Sequence, residues 1–151
     1  MTPTQSPATT PLASVDATAI LGDLARAKNG AYDFTIERLR IPDACARLRA
    51  TGYEHLMLIT GIDWKTSWEV VYHLVRHGQK EVLTLRTRLP RHSPELPTVT
   101  HLWPGAGWHE RETFDLMGIR FTGTPDPRRI LLPYDYQGHP LRKDVAHGNT
   151  S

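Results

Sequence analysis

The sequence has few of the residues that build redox and metal centres, since it contains a single cysteine, Cys45, among 151 residues. One thiol excludes a disulfide, an iron–sulfur cluster and a cysteine-based zinc site formed by this chain alone. A single free cysteine also fits a reducing cytoplasm better than secretion. The formal charge is only +2, which is too small to indicate nucleic-acid binding by itself.

Long apolar runs are missing as well. No stretch approaches the roughly 20 apolar residues that span a bilayer. The N-terminal residues lack the basic and apolar regions of a signal peptide. The Pro, Thr, Ser and Gln content of residues 1–15 predicts a flexible tail instead. We therefore expect a soluble chain that reaches a membrane only through partners.

Familiar catalytic motifs are absent. His109-Glu110 begins like the zinc motif HExxH, but Thr113 stands where the second histidine is required. His73 and His77 are four residues apart, but they fall in a predicted strand and its turn, where such a pair splays. The sequence contains no GxSxG, no GxxxxGK[ST] and no GxGxxG after a strand. We predict no catalytic, cofactor-binding or metal-binding residue in this chain.

The order of helical and strand patterns predicts an α+β fold, with a small, mostly antiparallel sheet and helices packed on it. A helix is expected from Val15 to a stop at Asn29-Gly30, followed by a strand from Tyr32 and a helix over residues 42–52. Three strand-like runs between residues 53 and 89 follow, joined by short turns. The last run places leucines on one face and arginines on the other. We therefore expect the arginine face to contact either solvent or a docked partner.

The sequence after Pro90 lacks the regular alternation of the strands before it. We expect a short helix near residues 98–103, then a helix of about three turns that ends at Gly118. The prolines at 125, 127, 133 and 140 exclude regular elements beyond it, which leaves an extended irregular C-terminal arm. The predicted organisation is a tail at 1–15, an α+β domain at 16–118 and the arm at 119–151.

The stretch GWHERETFDLMG forms the helix that ends at Gly118. At 100° per residue neither side of it is purely polar. One side carries Trp108, Arg111, Glu112 and Asp115, and the other carries Glu110, Phe114 and Met117. A helix with two mixed sides is either covered twice, by the sheet and by the arm or a partner, or exposed with internal ion pairs. If it is covered, carboxylates must neutralise Arg111.

The arm is too apolar for water, although it is irregular. Arg128-Arg129 and Arg142-Lys143 flank an aromatic stretch with Gly and Pro, which predicts docking on a partner through backbone hydrogen bonds and arginine contacts. A disordered chain end is the alternative. RNA binding by basic and aromatic residues is another, although Asp126, Asp135 and Asp144 dilute the charge.

Two segments carry a resemblance to a known family. The first is PTVTHLWPGAGWHERETFDLMGIRF, and the second is PDPRRILLPYDYQGHPLRKD. Together they resemble the C subunit of the proton-translocating NADH:quinone oxidoreductase, the bacterial respiratory complex I. The matching signature includes Glu110-Arg111-Glu112, Asp115, Arg128, Gly138, Pro140, Leu141, Arg142, Lys143 and Asp144. The family usually has His or Lys where Thr124 stands.

The resemblance implies a subunit of the hydrophilic arm of that complex, with no redox centre of its own. It implies packing against the quinone-site subunit (the D subunit) and nearby Fe–S subunits, with FMN, Fe–S clusters and quinone held elsewhere in the assembly. It also implies a peripheral position on the cytoplasmic side of the cell membrane. An equivalent subunit of a membrane-bound energy-converting hydrogenase, or of a complex with another electron donor, is a close alternative.

These considerations predict a partner interface on the helix and the arm. Its expected members are Trp108, Glu110, Arg111, Glu112, Asp115, Arg128, Arg129, Tyr136, Gly138, Pro140, Leu141, Arg142, Lys143 and Asp144.

Overall fold

The structure is a computed structural model that describes residues 12–27, 32–125, 128–129, 131–132 and 137–143. Within these residues it contains the helices α1 (Leu12–Leu21), α2 (Ile41–Ala50) and α3 (Ala106–Met117). The strands are β1 (Ala25–Ala27), β2 (Asp33–Ile36), β3 (His55–Asp63), β4 (Ser67–Val75), β5 (Val82–Pro90), β6 (Glu95–Pro97) and β7 (Arg120–Thr122). Of the predicted arm, residues 128–129, 131–132 and 137–143 are described after Pro125, and from here on the arm means these residues.

Strands β1 to β5 form one sheet in the order β1-β2-β5-β4-β3. The neighbours β1–β2, β3–β4 and β4–β5 are antiparallel, and only a few residues of sequence separate the two strands of each pair. Strand β2 runs parallel to β5, and α2 lies on the long connection between them. The predicted α+β class with a mostly antiparallel sheet is thus confirmed.

The helices cover only one face of this sheet. A buried hydrophobic cluster joins α1, α2 and the start of α3 to one face of strands β2 to β5. Its members there include Ala17, Leu21, Ala44, Cys45, Leu48, Ala106, Phe34, Ile36, Ile59, Trp68, Val70, Tyr72, Leu74, Leu83, Leu85 and Leu89. Successive strand residues point to opposite faces. Intervening residues such as Glu69, Val71 and Arg86 therefore lie on the second face, which we call the outer face.

The expectation for the first helix is wrong at both ends. Helix α1 ends at Leu21, because Gly22 follows with φ of 53°, a left-handed conformation that leaves the helix. Residues 25–27 then form β1, where the sequence predicted a helix up to residue 29. Helix α1 also begins at Leu12, inside the segment predicted to be a flexible tail.

Two expectations for the region after Pro90 are also wrong. Instead of a helix near residues 98–103, strand β6 is followed by a turn in which the N–H groups of Leu102 and Trp103 bind the Val99 carbonyl oxygen. Strand β7 lies in the segment predicted to be irregular, and it pairs in parallel with β6. Burial drives this strand, because Ile119 and Phe121 enter the hydrophobic cluster before the prolines begin.

The predicted helix ending at Gly118 is confirmed as α3, which packs along β3. The closest approach is at Gly61 in β3. A Cβ atom there would lie 2.7 Å from Met117 Sδ and 2.9 Å from Ile119 Cδ1. These distances are shorter than van der Waals contact, so the absence of a side chain at residue 61 lets the helix approach the sheet.

We expect Gly61→Ala to lower the free energy of unfolding by about 1–3 kcal/mol, because the added methyl group overpacks this contact. Urea unfolding of the purified chain measures the change. Gly105→Ala is the matched control, since a Cβ there meets nothing within 4 Å, and we expect it to stay within about 0.5 kcal/mol of the wild type. Equal effects of the two substitutions would contradict this account of the α3–β3 contact.

Candidate partner-binding site

The end of α3 is shaped to receive the arm. Gly118 closes the helix in a left-handed conformation with φ of 84°, and its N–H donates to the Phe114 carbonyl oxygen at 2.8 Å. A Cβ at residue 118 would lie 2.9 Å from the His139 ring. Glycine is therefore required twice at this position, for the helix end and for the close approach of the arm.

The central group of the site is the carboxylate of Asp115, whose residue exposes 0% of its surface. Its Oδ1 accepts a hydrogen bond from Arg129 Nη1 and forms an ion pair with it. Its Oδ2 accepts from the main-chain N–H groups of Leu131 at 2.8 Å and Leu132 at 2.9 Å. Because both oxygens are bound by the arm, the helix and the arm share one buried charge.

Two arginines hold the arm through its main-chain carbonyl groups. Arg129 Nη2 donates to the Gly138 oxygen at 2.7 Å, which links the two ends of the arm. Arg111 donates through Nε to the Arg128 oxygen at 3.0 Å and through Nη2 to the Arg129 oxygen at 3.3 Å. Main-chain carbonyl oxygens thus accept hydrogen bonds from Arg111, for which the sequence predicted carboxylate partners.

The far part of the arm packs on the last turn of α3. The His139 ring contacts the Phe114 ring edge-on at 5.2 Å between centroids, and its Nδ1 lies 3.0 Å from the Asp115 carbonyl oxygen. The Leu141 N–H donates to the Leu116 carbonyl oxygen at 2.8 Å. Both carbonyl groups belong to the C-terminal turn of the helix, where carbonyl oxygens lack partners within the helix.

A second carboxylate, which the sequence analysis missed, holds the end of the arm. Asp63 closes β3, and its Oδ2 accepts from the Lys143 N–H at 2.7 Å. Its Oδ1 accepts from Arg91 Nη1 at 2.5 Å and from the Lys65 N–H at 2.7 Å. The strand pattern could have indicated it, because Asp63 occupies the inward-facing parity of Ile59, where an acid requires buried partners.

The environment of Asp63 keeps it charged. Burial by itself would raise the pKa of this carboxyl group, but the hydrogen bonds from Lys143, Arg91 and Lys65 outweigh burial and hold the pKa below its ordinary value. The guanidinium groups of Arg91 and Arg142 also lie over the Trp68 ring, at 4.4 Å and 5.1 Å from its centroid. Cation–π contacts therefore join the arm to β4 beside the carboxylate.

Glu110 acts inside the chain and not on its surface. It exposes 1% of its area, and it accepts hydrogen bonds from Thr98 Oγ1 at 2.6 Å and from the Val99 N–H at 2.9 Å. Burial raises the pKa of its carboxyl group, although these two hydrogen bonds oppose the shift. The side chains of Glu110 and Asp115 are thus bound within the chain, and their place in a partner interface stays a prediction.

Other predicted interface residues do reach the surface. Trp108 is 54% exposed and Leu141 is 53% exposed, while Arg128, Gly138 and Lys143 are also exposed. Glu112, Pro140 and Arg142 are half-buried. Tyr136 and Asp144 lie outside the described residues. Leu131, which the prediction did not include, is 48% exposed on the arm, so α3 and the arm together expose large apolar side chains.

No group of three or more His, Cys, Asp or Glu that could hold a metal ion occurs in the described residues. No described helix is long and apolar enough to cross a membrane. Cys45 is fully buried, and burial raises the pKa of its thiol, with Glu110 adding to the effect. Such a thiol is a poor nucleophile and a poor metal ligand.

Residues 34–151 match the family described as "Respiratory-chain NADH dehydrogenase, 30 Kd subunit". The C subunit of NADH-quinone oxidoreductase from Roseiflexus sp. (strain RS-1) is 46% identical over 115 residues, which are 72% of this chain and 66% of that protein. NADH-quinone oxidoreductase subunit 5 of Thermus thermophilus is 41% identical over 127 residues, or 76% and 61% of the two chains. This chain thus spans less than two thirds of the length of either relative.

Two solved structures share the fold. One is a chain of the membrane-bound sulfane sulfur reductase (MBS), an archaeal respiratory membrane complex, with a TM-score of 0.80 and 25% identity over 90% of this chain and 86% of that one. The other is the trypsin-resistant fragment (1–134) of Nqo5, with a TM-score of 0.62 and 33% identity over 76% and 96%.

The lowered pKa of Asp63 predicts how the stability of the fold changes with pH. A folded-state pKa below the ordinary value of 3.8 stabilises the fold above that pH, and the benefit is lost as the pH falls through the folded value. We expect Asp63→Asn to cost about 1–3 kcal/mol above about pH 5, because it disrupts buried hydrogen bonds. Towards about pH 2 the difference from the wild type should shrink.

Urea unfolding of the purified chain at several pH values measures this difference. Asp23→Asn is the control, because Asp23 is exposed, and we expect it to follow the wild type throughout. A difference between the wild type and Asp63→Asn that stays constant over the whole pH range would show that the charge of Asp63 is not what holds the arm.

Proposed function

Since this chain belongs to the family of the 30 kDa subunit of respiratory-chain NADH dehydrogenase, we propose that it is a non-redox, architectural subunit of an NADH:quinone oxidoreductase. Its place is the hydrophilic arm of the complex, on the cytoplasmic side of the cell membrane. Its partners are the quinone-site subunit (the D subunit) and neighbouring Fe–S subunits. FMN, the Fe–S clusters and quinone are bound by other subunits, which carry electrons from NADH to quinone coupled to proton translocation.

The observation that carries this proposal is the way α3 and the arm are joined. An irregular segment is bound to the helix through Asp115, Arg129 and Arg111, and the joined pair leaves Trp108, Leu131 and Leu141 about half exposed. Large apolar side chains grouped around a preorganised backbone are typical of protein interfaces. Because the described residues of the arm are already bound to α3 within the chain, a partner does not have to supply the free energy of ordering them.

The chemistry of the described side chains supports a non-redox role. A cluster or structural zinc site requires several thiolates or imidazoles. The only cysteine in the sequence, Cys45, is buried in the hydrophobic cluster with a raised thiol pKa. The two buried carboxylates of α3 are bound by the arm and by the turn after β6. These groups stabilise the fold, and none of them is poised as an acid, a base or a nucleophile.

The second candidate is the equivalent subunit of a related membrane complex with a different electron donor. The similarity to a chain of the membrane-bound sulfane sulfur reductase, at a TM-score of 0.80, favours it. The neighbouring subunits separate the two candidates. A flavin- and NADH-binding module identifies the quinone oxidoreductase, whereas a nickel-binding large subunit identifies a hydrogenase relative.

The test is to replace an exposed leucine on the proposed interface. We expect Leu141→Glu to reduce the amount of chain recovered with the complex by about tenfold or more, because a buried charge weakens an apolar interface by more than about 1.4 kcal/mol. The chain is tagged in its native cells, and the complex is extracted from membranes with mild detergent and quantified by mass spectrometry. Leu39→Glu is the matched control, since Leu39 is 64% exposed but lies before α2, away from α3 and the arm.

The control should be recovered within about twofold of the wild type, and neither substitution should change the melting temperature of the isolated chain by more than about 2 °C. Recovery of the wild-type chain without Fe–S or quinone-site subunits would refute the proposed function. Equal losses for the two leucine substitutions would remove α3 and the arm as its interface.

A further inference from the structure

The outer face of the five-stranded sheet has the composition of an interface, although no described element covers it. It carries the apolar side chains of Leu58 and Ile62 from β3, Val71 and Val75 from β4, and Val82 from β5. An antiparallel sheet that faces only water normally shows polar residues at such positions. These five side chains form an interrupted strip, because polar residues such as Thr60, Glu69 and His73 alternate with them along the strands. A face of mixed apolar and polar composition on an open sheet is a candidate docking surface.

The centre of the outer face is already organised as an interface would be. Val71 is 4% exposed, and its register partners are Thr60 on one side and Arg86 on the other. The Arg86 side chain runs across the face to Asp33, which it contacts through Nε at 2.9 Å. The apolar stem of such an arginine can cover the valine while its charged head is held in place.

The acidic groups of this face are occupied. Glu69 is 2% exposed, and its carboxylate accepts from Trp64 Nε1 at 2.9 Å and lies 3.9 Å from Arg86 Nη1. Asp33 is bound by the same arginine. The face therefore has no carboxylate left for a cationic partner among the residues that the structure describes.

The basic groups at its two ends have no carboxylate partner among the described residues. Arg26 in β1 lies opposite Thr35, Arg88 in β5 lies opposite Glu69, and both arginines are exposed. Arg88 Nη1 donates a hydrogen bond to Ser67 Oγ at 2.8 Å, which orients the side chain and leaves its charge without a carboxylate. Arg88 stacks on the ring of Trp64 at 5.1 Å, and that tryptophan is 47% exposed. An exposed Trp–Arg pair beside a buried centre is the composition enriched at binding hot spots.

We propose that the outer face is a second protein-binding surface, separate from α3 and the arm, and that its partner is a protein segment with acidic side chains around an apolar centre. The acidic side chains pair with Arg26 and Arg88, while apolar side chains cover the strip around Val71. The chain then binds proteins on both sides of its fold and joins them through the sheet.

The experiment places a photo-crosslinking amino acid at Thr84, a half-buried outer-face residue, in the full-length chain in its native cells. The crosslinked peptides are identified by mass spectrometry. The expected product is a protein segment that contains several Asp or Glu residues. A product with lipid or with a second copy of this chain, or no protein product at all, would overturn the proposal.

The substitution Arg88→Gln, made in the chain that carries the photo-crosslinking amino acid at residue 84, tests whether the charge of Arg88 contributes to binding the partner. We expect about tenfold less of the product, since arginine hot spots contribute at least that much to affinity. Arg49→Gln, an exposed arginine of α2, should leave the product unchanged, and both variants should keep the melting temperature of the isolated chain. Equal yields with Arg88→Gln and Arg49→Gln would overturn the charge complementarity on which the partner assignment depends.

These results are independent of the proposed function. A complex that assembles normally but gives no Thr84 product refutes the second surface alone. An acidic partner outside any respiratory complex supports the second surface while contradicting the proposed function.

Discussion

A carboxylate that is removed from water and keeps its charge needs a partner for each of its oxygens, because an uncompensated buried charge costs several kcal/mol. Asp115 is in this position in the last turn of α3. The Arg129 guanidinium and the N–H groups of Leu131 and Leu132 bind its two oxygens, and these three described arm residues lie outside helices and strands. The requirement to neutralise one buried charge therefore fixes the position of these residues beside α3.

The rest of the site can be understood from this constraint. Helix α3 must lie close to the sheet on one side and to the arm on the other, and a glycine permits each approach, Gly61 at β3 and Gly118 at His139. Asp63 binds the far end of the arm at Lys143, so two carboxylates 52 positions apart in the sequence hold the arm at its two ends. The helix is thus placed between two layers, and its exposed residues are displayed on a fixed backbone.

The sequence predicted the parts of this arrangement that depend on local patterns. The α+β class and the end of α3 at Gly118 are confirmed, because strand alternation and a glycine after a helix are local signals. The mixed sides of α3 correctly indicated cover on both sides. Strand β7 and the role of Asp63 were missed, because each depends on contacts with residues distant in the sequence, which no local pattern reports. The end of α1 was also missed, although Gly22 is a local signal for it.

The central claim is that the charge of Asp115 orders the arm, and the most direct measurement is hydrogen exchange at the amides of Leu131 and Leu132 by NMR. In the wild-type chain these two amides donate to a buried carboxylate, so they should exchange at least about tenfold more slowly than in Asp115→Asn. The amides of β4 should exchange at the same rate in both proteins, which shows that the sheet is intact. Equal exchange rates at Leu131 and Leu132 in the two proteins would contradict the account.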